Sequence, residues 1–313
     1  MALDEATAEM LREARAAQAP PLAEQTPQEA RAGSVARHEK VAPGPAMDSV
    51  REVAAPRPDG GPDGGEVPIR LLVPRPDPRG VLVYVHGGGW VVGSTEEFDA
   101  LGRELAERTG CAVAMVQYRK APENPFPAAV EDAWAAVSWL GQRVGEIAFA
   151  GAPLVVAGDS AGGNLAAVVA RRARDEGGPR LAAQVLVYPV VDTATGTASY
   201  QDPENQLMVD RPAMEQFFQY YLPDESTRAH PDAAPLRAED LADLPPAVVV
   251  LAEHDVLLDD GIAYAKRLRE AGVPVVERTF AGQMHGFFGM RGLLPGHDDA
   301  VAFVAAEVDA HLG

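Results

Sequence analysis

The chain has 313 residues, of which 47% are hydrophobic, and it carries a formal net charge of −19. This length and composition predict one large globular domain with a smaller appendage, and the negative charge argues against binding to the phosphates of nucleic acids. The single cysteine, Cys111, excludes an intramolecular disulfide, and the apolar run around it predicts a buried position.

The N-terminal part predicts a helix followed by a proline-rich connection. Residues 3–18 are rich in alanine and charge and have too few large apolar side chains for a core of their own, so we expect them to pack on the rest of the chain. The opening MALDEATAEM lacks the apolar region of a signal peptide, and no apolar run has the length of a membrane span. We therefore expect a soluble, cytoplasmic protein without a membrane partner.

From residue 56 onward a turn, PRPDGGPDGGEV, is followed by apolar runs that alternate with helical patterns. The predicted strands are VPIRLLV, GVLVYVH, CAVAMVQY, PLVVAGD, AAQVLVYPVV, PAVVVLAEH and VPVVERTF. The predicted helices are EEFDALGRELAERTG, AAVEDAWAAVSWLGQRV, GNLAAVVARRARDEG, DGIAYAKRLREAG and DDAVAFVAAEVDAHL. Alternation of strands and helices predicts an α/β fold with a parallel sheet, and valine-rich runs without polar alternation are typical of strands covered on both faces.

One long segment interrupts this alternation between Asp192 and Leu244. It is polar at its ends and has an aromatic helical pattern in the middle, with Phe217, Phe218, Tyr220 and Tyr221. Long insertions in compact domains are usually functional or disordered. The aromatic pattern favours an ordered lid.

GDSAG, at residues 158–162, fits the pattern G-x-S-x-G and lies between the strand PLVVAG and the helix GNLAAVVARRA. In this context the serine occupies a tight turn, where bulky neighbours would prevent the chain from closing. Ser160 is thus a candidate nucleophile near the positive end of a helix, with a chance glycine-serine turn as the alternative. A phosphate-binding loop is excluded because Asn164 occupies the position of the required lysine.

HGGGW, at residues 86–90, ends the predicted strand GVLVYVH. Successive glycines expose backbone N–H groups, as an oxyanion hole requires, and a flexible glycine turn is the alternative. We expect His86 to orient this loop rather than to act as a base.

A nucleophilic serine needs a base, and His285 in AGQMHGFFG is the candidate because it follows the last predicted strand. His254, beside Asp255, is a weaker rival. The remaining histidines are expected on the surface: His38, His230, His297 and His311.

The acid of such a site is expected between the serine and the histidine in chain order. Asp255 directly follows an apolar strand and is favoured, and Asp192, which follows YPVV, is the rival. Asp259 and Asp260 suit the N-cap and the first turn of the next helix.

Six motifs, HGGGW, YRKAPENPFPAAVED, GDSAGGN, YPVVD, EHDVLLDDG and MHGFF, resemble in sequence and order those of the bacterial hormone-sensitive-lipase-like esterases, which are α/β-hydrolases. The resemblance runs from about residue 48 to the C-terminus and more loosely through the N-terminal helices. It implies a mostly parallel central sheet flanked by helices, with a helical cap. The chain departs from the family motifs at Lys120, Asn124 and Leu258.

The resemblance also implies the roles of individual residues. The implied triad of nucleophile, acid and base is Ser160, Asp255 and His285. The implied oxyanion hole consists of the backbone N–H groups of Gly88, Gly89 and Ala161. The implied regions are cap helices at residues 1–45, a catalytic domain at 46–194 and 241–313, and a cap insertion at 195–240.

We therefore expect a carboxylic-ester hydrolase that cleaves short- to medium-chain acyl esters through an acyl-enzyme. An amidase or deacetylase with the same triad is the alternative, and a non-catalytic ligand-binding protein of this fold is a second. Without a His-Glu-x-x-His motif or a cysteine pair, no metal and no cofactor are expected. The expected partner is a small-molecule ester, and the resemblance implies a homodimer formed through an edge strand near the C-terminus.

Overall fold

The centre of the molecule is one eight-stranded sheet, seen in a computed structural model that describes residues 2–18, 20–58, 60 and 65–312. The strands are Ser49–Pro56 (β1), Glu66–Val73 (β2), Val81–Val85 (β3), Ala112–Val116 (β4), Leu154–Asp159 (β5), Ala183–Val187 (β6), Ala247–His254 (β7) and Val275–Met284 (β8). Their order across the sheet is β1-β2-β4-β3-β5-β6-β7-β8. β2 runs antiparallel to both of its neighbours, and every pair from β4 to β8 is parallel.

Helices connect the strands and cover both faces of the sheet. They are Glu5–Ala16 (α1), Pro27–His38 (α2), Asp99–Thr109 (α3), Ala128–Gly141 (α4), Val144–Ile147 (α5), Ala161–Asp175 (α6), Ala198–Gln201 (α7), Arg211–Tyr221 (α8), Leu258–Glu270 (α9) and Pro295–Asp309 (α10). Within the described part of the chain, no helix is both long and apolar enough to cross a membrane.

Two apolar cores lie on opposite faces of the sheet, and alternate residues of each central strand enter different cores. In β3, Val83 packs in the core that contains α4, α6 and α9, whereas Leu82 packs in the core that contains α3 and α10. All residues of β3, β4, β5 and β6 are buried, which explains their unbroken apolar runs. The predicted mostly parallel α/β fold is confirmed.

Among the elements that the sequence patterns did not predict are β1 and α2. β1 is an edge strand with mostly exposed or half-buried residues, so it has no apolar run. α2 begins at Pro27 within the segment interpreted as a proline-rich connection. Proline suits the first turn of a helix, and Thr26 and Glu29 form a capping box there.

Other local predictions have mixed outcomes. Cys111 is buried, as predicted. The surface position predicted for His297 is wrong, because its ring is fully buried and contacts the Phe288 carbonyl oxygen at 2.6 Å and a Glu104 carboxylate oxygen at 2.8 Å. The turn predicted at residues 56–67 includes 59 and 61–64, which lie outside the described residues.

Candidate active site

Ser160 occupies the turn between β5 and α6, at the carboxyl end of a central parallel strand. Its φ of 55° lies in the left-handed region, which L-residues rarely adopt. The turn closes only because its neighbours are small. A Cβ on Gly162 would collide with the Val85 carbonyl oxygen, and one on Gly158 would collide with the carbonyl oxygen of Gly162. The hydroxyl is thereby held above the carboxyl ends of the parallel strands.

His285 and Asp255 lie next to Ser160, above the same carboxyl ends of the strands. The Nε2 atom of His285 lies 3.0 Å from the Ser160 hydroxyl oxygen, and its Nδ1 atom lies 2.7 Å from an oxygen of Asp255. Asp255 directly follows β7 and His285 directly follows β8, so parallel strands bring together residues far apart in sequence. All three side chains are buried, and the ring of Tyr188 packs 4.5 Å from that of His285. A proton on Nδ1, held by the carboxylate, leaves Nε2 free to accept the serine proton.

The rival residues do not contact Ser160 or His285. The buried Nε2 atom of His254 makes no hydrogen bond with any described residue and lies 3.9 Å from a carboxylate oxygen of Glu253. Asp192 accepts a hydrogen bond of 2.7 Å from Arg237, and Asp259 accepts one of 2.8 Å from the backbone N–H of Ser199. The geometry therefore favours Asp255 and His285 as the partners of Ser160.

The glycine loop that follows β3 lies beside Ser160. Gly88 and Gly89 have φ values of +113° and +57°, and a Cβ on Gly89 would approach the ring of Phe217 to 2.5 Å. Ala161 is the first residue of α6, so its N–H belongs to the first turn, where the helix offers no backbone acceptor. These three N–H groups are the candidate donors to an oxyanion.

His86 is neutral and supports this loop. Burial, helped by the nearby Lys120 charge, lowers its pKa to about 3. Its Nδ1 atom lies 2.7 Å from the Gly87 carbonyl oxygen, and its ring stacks on Tyr118 at 4.5 Å. The Tyr118 hydroxyl donates to the His86 carbonyl oxygen at 3.0 Å. These contacts support the loop-orienting role expected of His86.

The structure adds Asp159, which the motif treated as a variable position. One of its oxygens accepts hydrogen bonds from the Tyr84 hydroxyl at 2.7 Å and from the Gly87 backbone N–H at 2.8 Å. Burial raises the pKa of Asp159, and these two hydrogen bonds oppose that rise. The residue before Ser160 thus ties the glycine loop to the serine turn. An acidic residue at the end of a fully apolar strand was the available signal in the sequence.

We predict that Asp159→Ala lowers kcat for esters by roughly 10- to 100-fold, because a freed Gly87 lets the neighbouring oxyanion donors shift, and one such donor is worth about 10²–10³ in kcat. Asp159→Asn keeps an acceptor oxygen and should restore most of the loss. Steady-state kinetics, with thermal unfolding to verify folding, measures both. A kcat for folded Asp159→Ala within twofold of the parent would contradict a positioning role.

A mostly apolar pocket of about 110 Å³ opens beside Ser160 and His285. Its apolar lining comes from three parts of the chain, namely the N-terminal region, the segment around α8, and the loops of the sheet edge. Examples are Leu22, Val41, Met214, Phe217, Phe98 and Leu293. An apolar cavity of about 150 Å³ holds a benzene molecule, so this pocket suits a short acyl group.

Among the described residues, Glu104, His297 and Asp298 form one group whose ligand atoms could approach a metal ion, within 4.8 Å of one another. The Glu104 carboxylate already contacts His297 at 2.8 Å, Arg108 at 2.7 Å and Arg291 at 2.9 Å. Two arginines therefore neutralise it, and the group is better described as a buried ion-pair network.

Comparisons with known proteins agree with this geometry. A family model described as alpha/beta hydrolase fold matches residues 82–289. Esterase LipI of Mycobacterium tuberculosis (strain ATCC 25618 / H37Rv) is 40% identical over 234 residues, which cover 74% of this chain and 73% of that protein. Ethyl acetate hydrolase of Pseudomonas putida is 35% identical over 257 residues, which cover 80% of each protein.

Solved structures show the same likeness over nearly the whole chain. A thermostable esterase from Pseudomonas putida ECU1011 superposes with a TM-score of 0.91 at 32% identity, over 100% of this chain and 98% of its own. A hyperthermophilic esterase from the archeon Pyrobaculum calidifontis superposes with a TM-score of 0.89 at 34% identity, over 99% of each chain. The family resemblance of the six motifs is thus confirmed. The chain belongs to the α/β-hydrolase fold family, among the hormone-sensitive-lipase-like esterases.

Proposed function

We propose that this protein hydrolyses short- to medium-chain carboxylic esters, with Ser160 as nucleophile, His285 as base and Asp255 as acid. The observation that carries the proposal is the continuous chain of contacts from Ser160 to His285 (3.0 Å) and on to Asp255 (2.7 Å), beside a glycine loop. The relatives named esterase, carboxylesterase and ethyl acetate hydrolase support the same reaction class.

The mechanism follows from this geometry. The Ser160 hydroxyl attacks the ester carbonyl carbon while His285 Nε2 takes its proton, and Asp255 stabilises the imidazolium. The N–H groups of Gly88, Gly89 and Ala161 hold the negative oxygen of the tetrahedral intermediate. The imidazolium returns its proton to the leaving alcohol, and an acyl-enzyme forms. Water, deprotonated by the same base, then releases the carboxylic acid and restores the serine.

We further propose that residues 1–45 and 195–240 form a cap over the catalytic domain. Arg31 of α2 supports the first part, because it contacts Glu123 at 2.6 Å and the carbonyl oxygens of Val91 and Ala121 at 2.9 and 3.0 Å. Tyr221 of α8 supports the second, because it stacks on Trp90 of the glycine loop at 4.2 Å. The homodimer and the cytoplasmic location stay predictions.

We predict that kcat/KM for p-nitrophenyl esters rises with acyl length, peaks at short to medium chains, and then falls. Each methylene buried in the apolar pocket contributes about 0.8 kcal/mol until the pocket is filled. Phe217→Ala should move the peak to longer chains, because this ring forms part of the pocket wall. A profile that still climbs at long chains, with a jump when the substrate forms an emulsion, would contradict the proposed closed pocket.

Matched amide substrates in the same assay test whether the protein prefers ester bonds to amide bonds. An acyl-enzyme mechanism serves esters and amides alike, so the alternative amidase differs only in its relative rates. We expect p-nitrophenyl acetate to be cleaved much faster than p-nitroacetanilide. Comparable rates would favour the amidase or deacetylase.

A further inference from the structure

Among the residues that line the active-site pocket, Arg37 has a distinct position. It lies in the last turn of α2, and it is the one exposed side chain among lining residues that are otherwise buried or half-buried. An exposed member of an otherwise enclosed lining marks the place where the pocket meets solvent. A substrate chain that leaves the pocket on this side would pass the guanidinium.

The other ionisable side chains of the lining, besides His285, already have polar contacts. The Nδ1 atom of His38 lies 2.9 Å from the Ser34 carbonyl oxygen and 3.3 Å from a carboxylate oxygen of Glu97. Asp159 accepts its two hydrogen bonds from Tyr84 and Gly87. Asp159 is an acid and His38 already lies beside a carboxylate, so neither offers an unpaired cation to an anionic substrate.

Arg37 differs in this respect. Within the described part of the chain its guanidinium makes no hydrogen bond and no ion pair, although it does feel the Glu97 charge. Although Arg37 is accessible to solvent, the protein atoms around its guanidinium partly desolvate it and lower its pKa, and attraction to Glu97 opposes that effect. Arginine nevertheless keeps its proton at any physiological pH, so the pocket opening carries a permanent, unpaired positive charge.

We propose that Arg37 selects esters that carry a carboxylate at the end of the chain remote from the scissile bond. The proposal rests on the esterase function proposed above and specifies its substrate class. The apolar pocket holds the methylenes next to the ester, and the guanidinium fork donates hydrogen bonds to the terminal carboxylate, a geometry for which arginine is well suited. The net charge of −19, which already includes Arg37, repels anions at long range, whereas this cation attracts a carboxylate locally at the pocket.

The carboxylate could belong to the acyl group or to the alcohol. Two sets of paired substrates, the two arms of the experiment, distinguish these cases. The first arm pairs monomethyl glutarate, adipate and suberate with methyl pentanoate, hexanoate and octanoate. The second pairs the acetate ester of 6-hydroxyhexanoate with hexyl acetate. A pH-stat measures kcat/KM for each, and the readout is the ratio of the anionic to the neutral ester within each pair.

We expect Arg37→Gln to lower this ratio about tenfold in one arm, the size of a partly solvent-screened charge-assisted contact. Arg37→Glu should lower it further. The matched control is Lys40→Gln, which removes the same charge just beyond α2, at an exposed residue outside the pocket lining, and should leave the ratio unchanged. Ratios that Arg37→Gln and Arg37→Glu leave at the parent value in both arms would overturn the proposal. If the parent cleaves neither the anionic nor the neutral esters of any pair, the esterase function itself fails, and the substrate proposal fails with it.

Discussion

Ser160→Ala is expected to reduce kcat for ester hydrolysis by about 10⁶-fold, the loss typical of removing the nucleophile from a serine hydrolase. Without the hydroxyl there is no acyl-enzyme, and the oxyanion donors and the pocket support only slow attack by water. Because alanine retains the Cβ, the backbone at φ 55° keeps the same strain, so thermal unfolding should hardly change.

Two measurements on purified protein check this result. Steady-state kinetics with a chromogenic ester gives the loss of kcat, and a fluorophosphonate probe shows whether an activated serine remains. The parent should be labelled and the variant should not. Turnover near the parent level by a folded variant would remove Ser160 from the mechanism, and a parent that resists labelling would favour a non-catalytic binding protein.

Asp255→Asn is expected to reduce kcat by about 10⁴-fold. The carboxylate accepts a hydrogen bond from the Nδ1–H of His285 at 2.7 Å, which leaves Nε2 free to accept the serine proton. An asparagine amide can donate to Nδ1 instead, and the ring then carries its proton on Nε2, where the base is needed. The imidazolium formed during attack also loses its countercharge.

Asp192→Asn is the matched control, because Asp192 was the rival acid in the sequence and its carboxylate contacts Arg237 at 2.7 Å. It should change kcat by less than about threefold, since the Asp192 carboxylate contacts Arg237 and Thr193 rather than His285. Weakening this half-exposed ion pair should mainly affect stability, by at most about 1 kcal/mol. If Asp192→Asn were the crippling substitution and Asp255→Asn the mild one, the proposed acid would be wrong.

The features that could be predicted from the sequence depend on interactions between residues that are close together along the chain. β3 to β6 are buried on both faces, and this environment demands the continuous apolar runs from which the strands were predicted. The turn at Ser160 closes only with glycines at 158 and 162, so these glycines in the sequence directly indicate a tight turn. The same holds for the glycine loop, where Gly88 and Gly89 adopt positive φ values.

The features that were missed depend on contacts between distant segments. β1 pairs through its backbone at the sheet edge, so its side chains carry little signal. His297 looks like a surface residue in a polar stretch, yet it is buried because Glu104, 193 residues away, contacts it. Asp159 occupies a variable position of its motif, and only the approach of Gly87 gives it a function.

The same distinction between local interactions and contacts of distant segments applies to the candidate site. The sequence by itself determined the residue types, the turn at the serine and the chain order of the three site residues, because backbone sterics and burial act on adjacent residues. Only the tertiary structure decided between Asp192 and Asp255 as neighbours of His285, and only it placed Arg37 of an N-terminal helix at the opening of the pocket. Those distances depend on how parallel strands align and on where the N-terminal helices pack, and both are set by the summed contacts of the whole chain rather than by any local pattern.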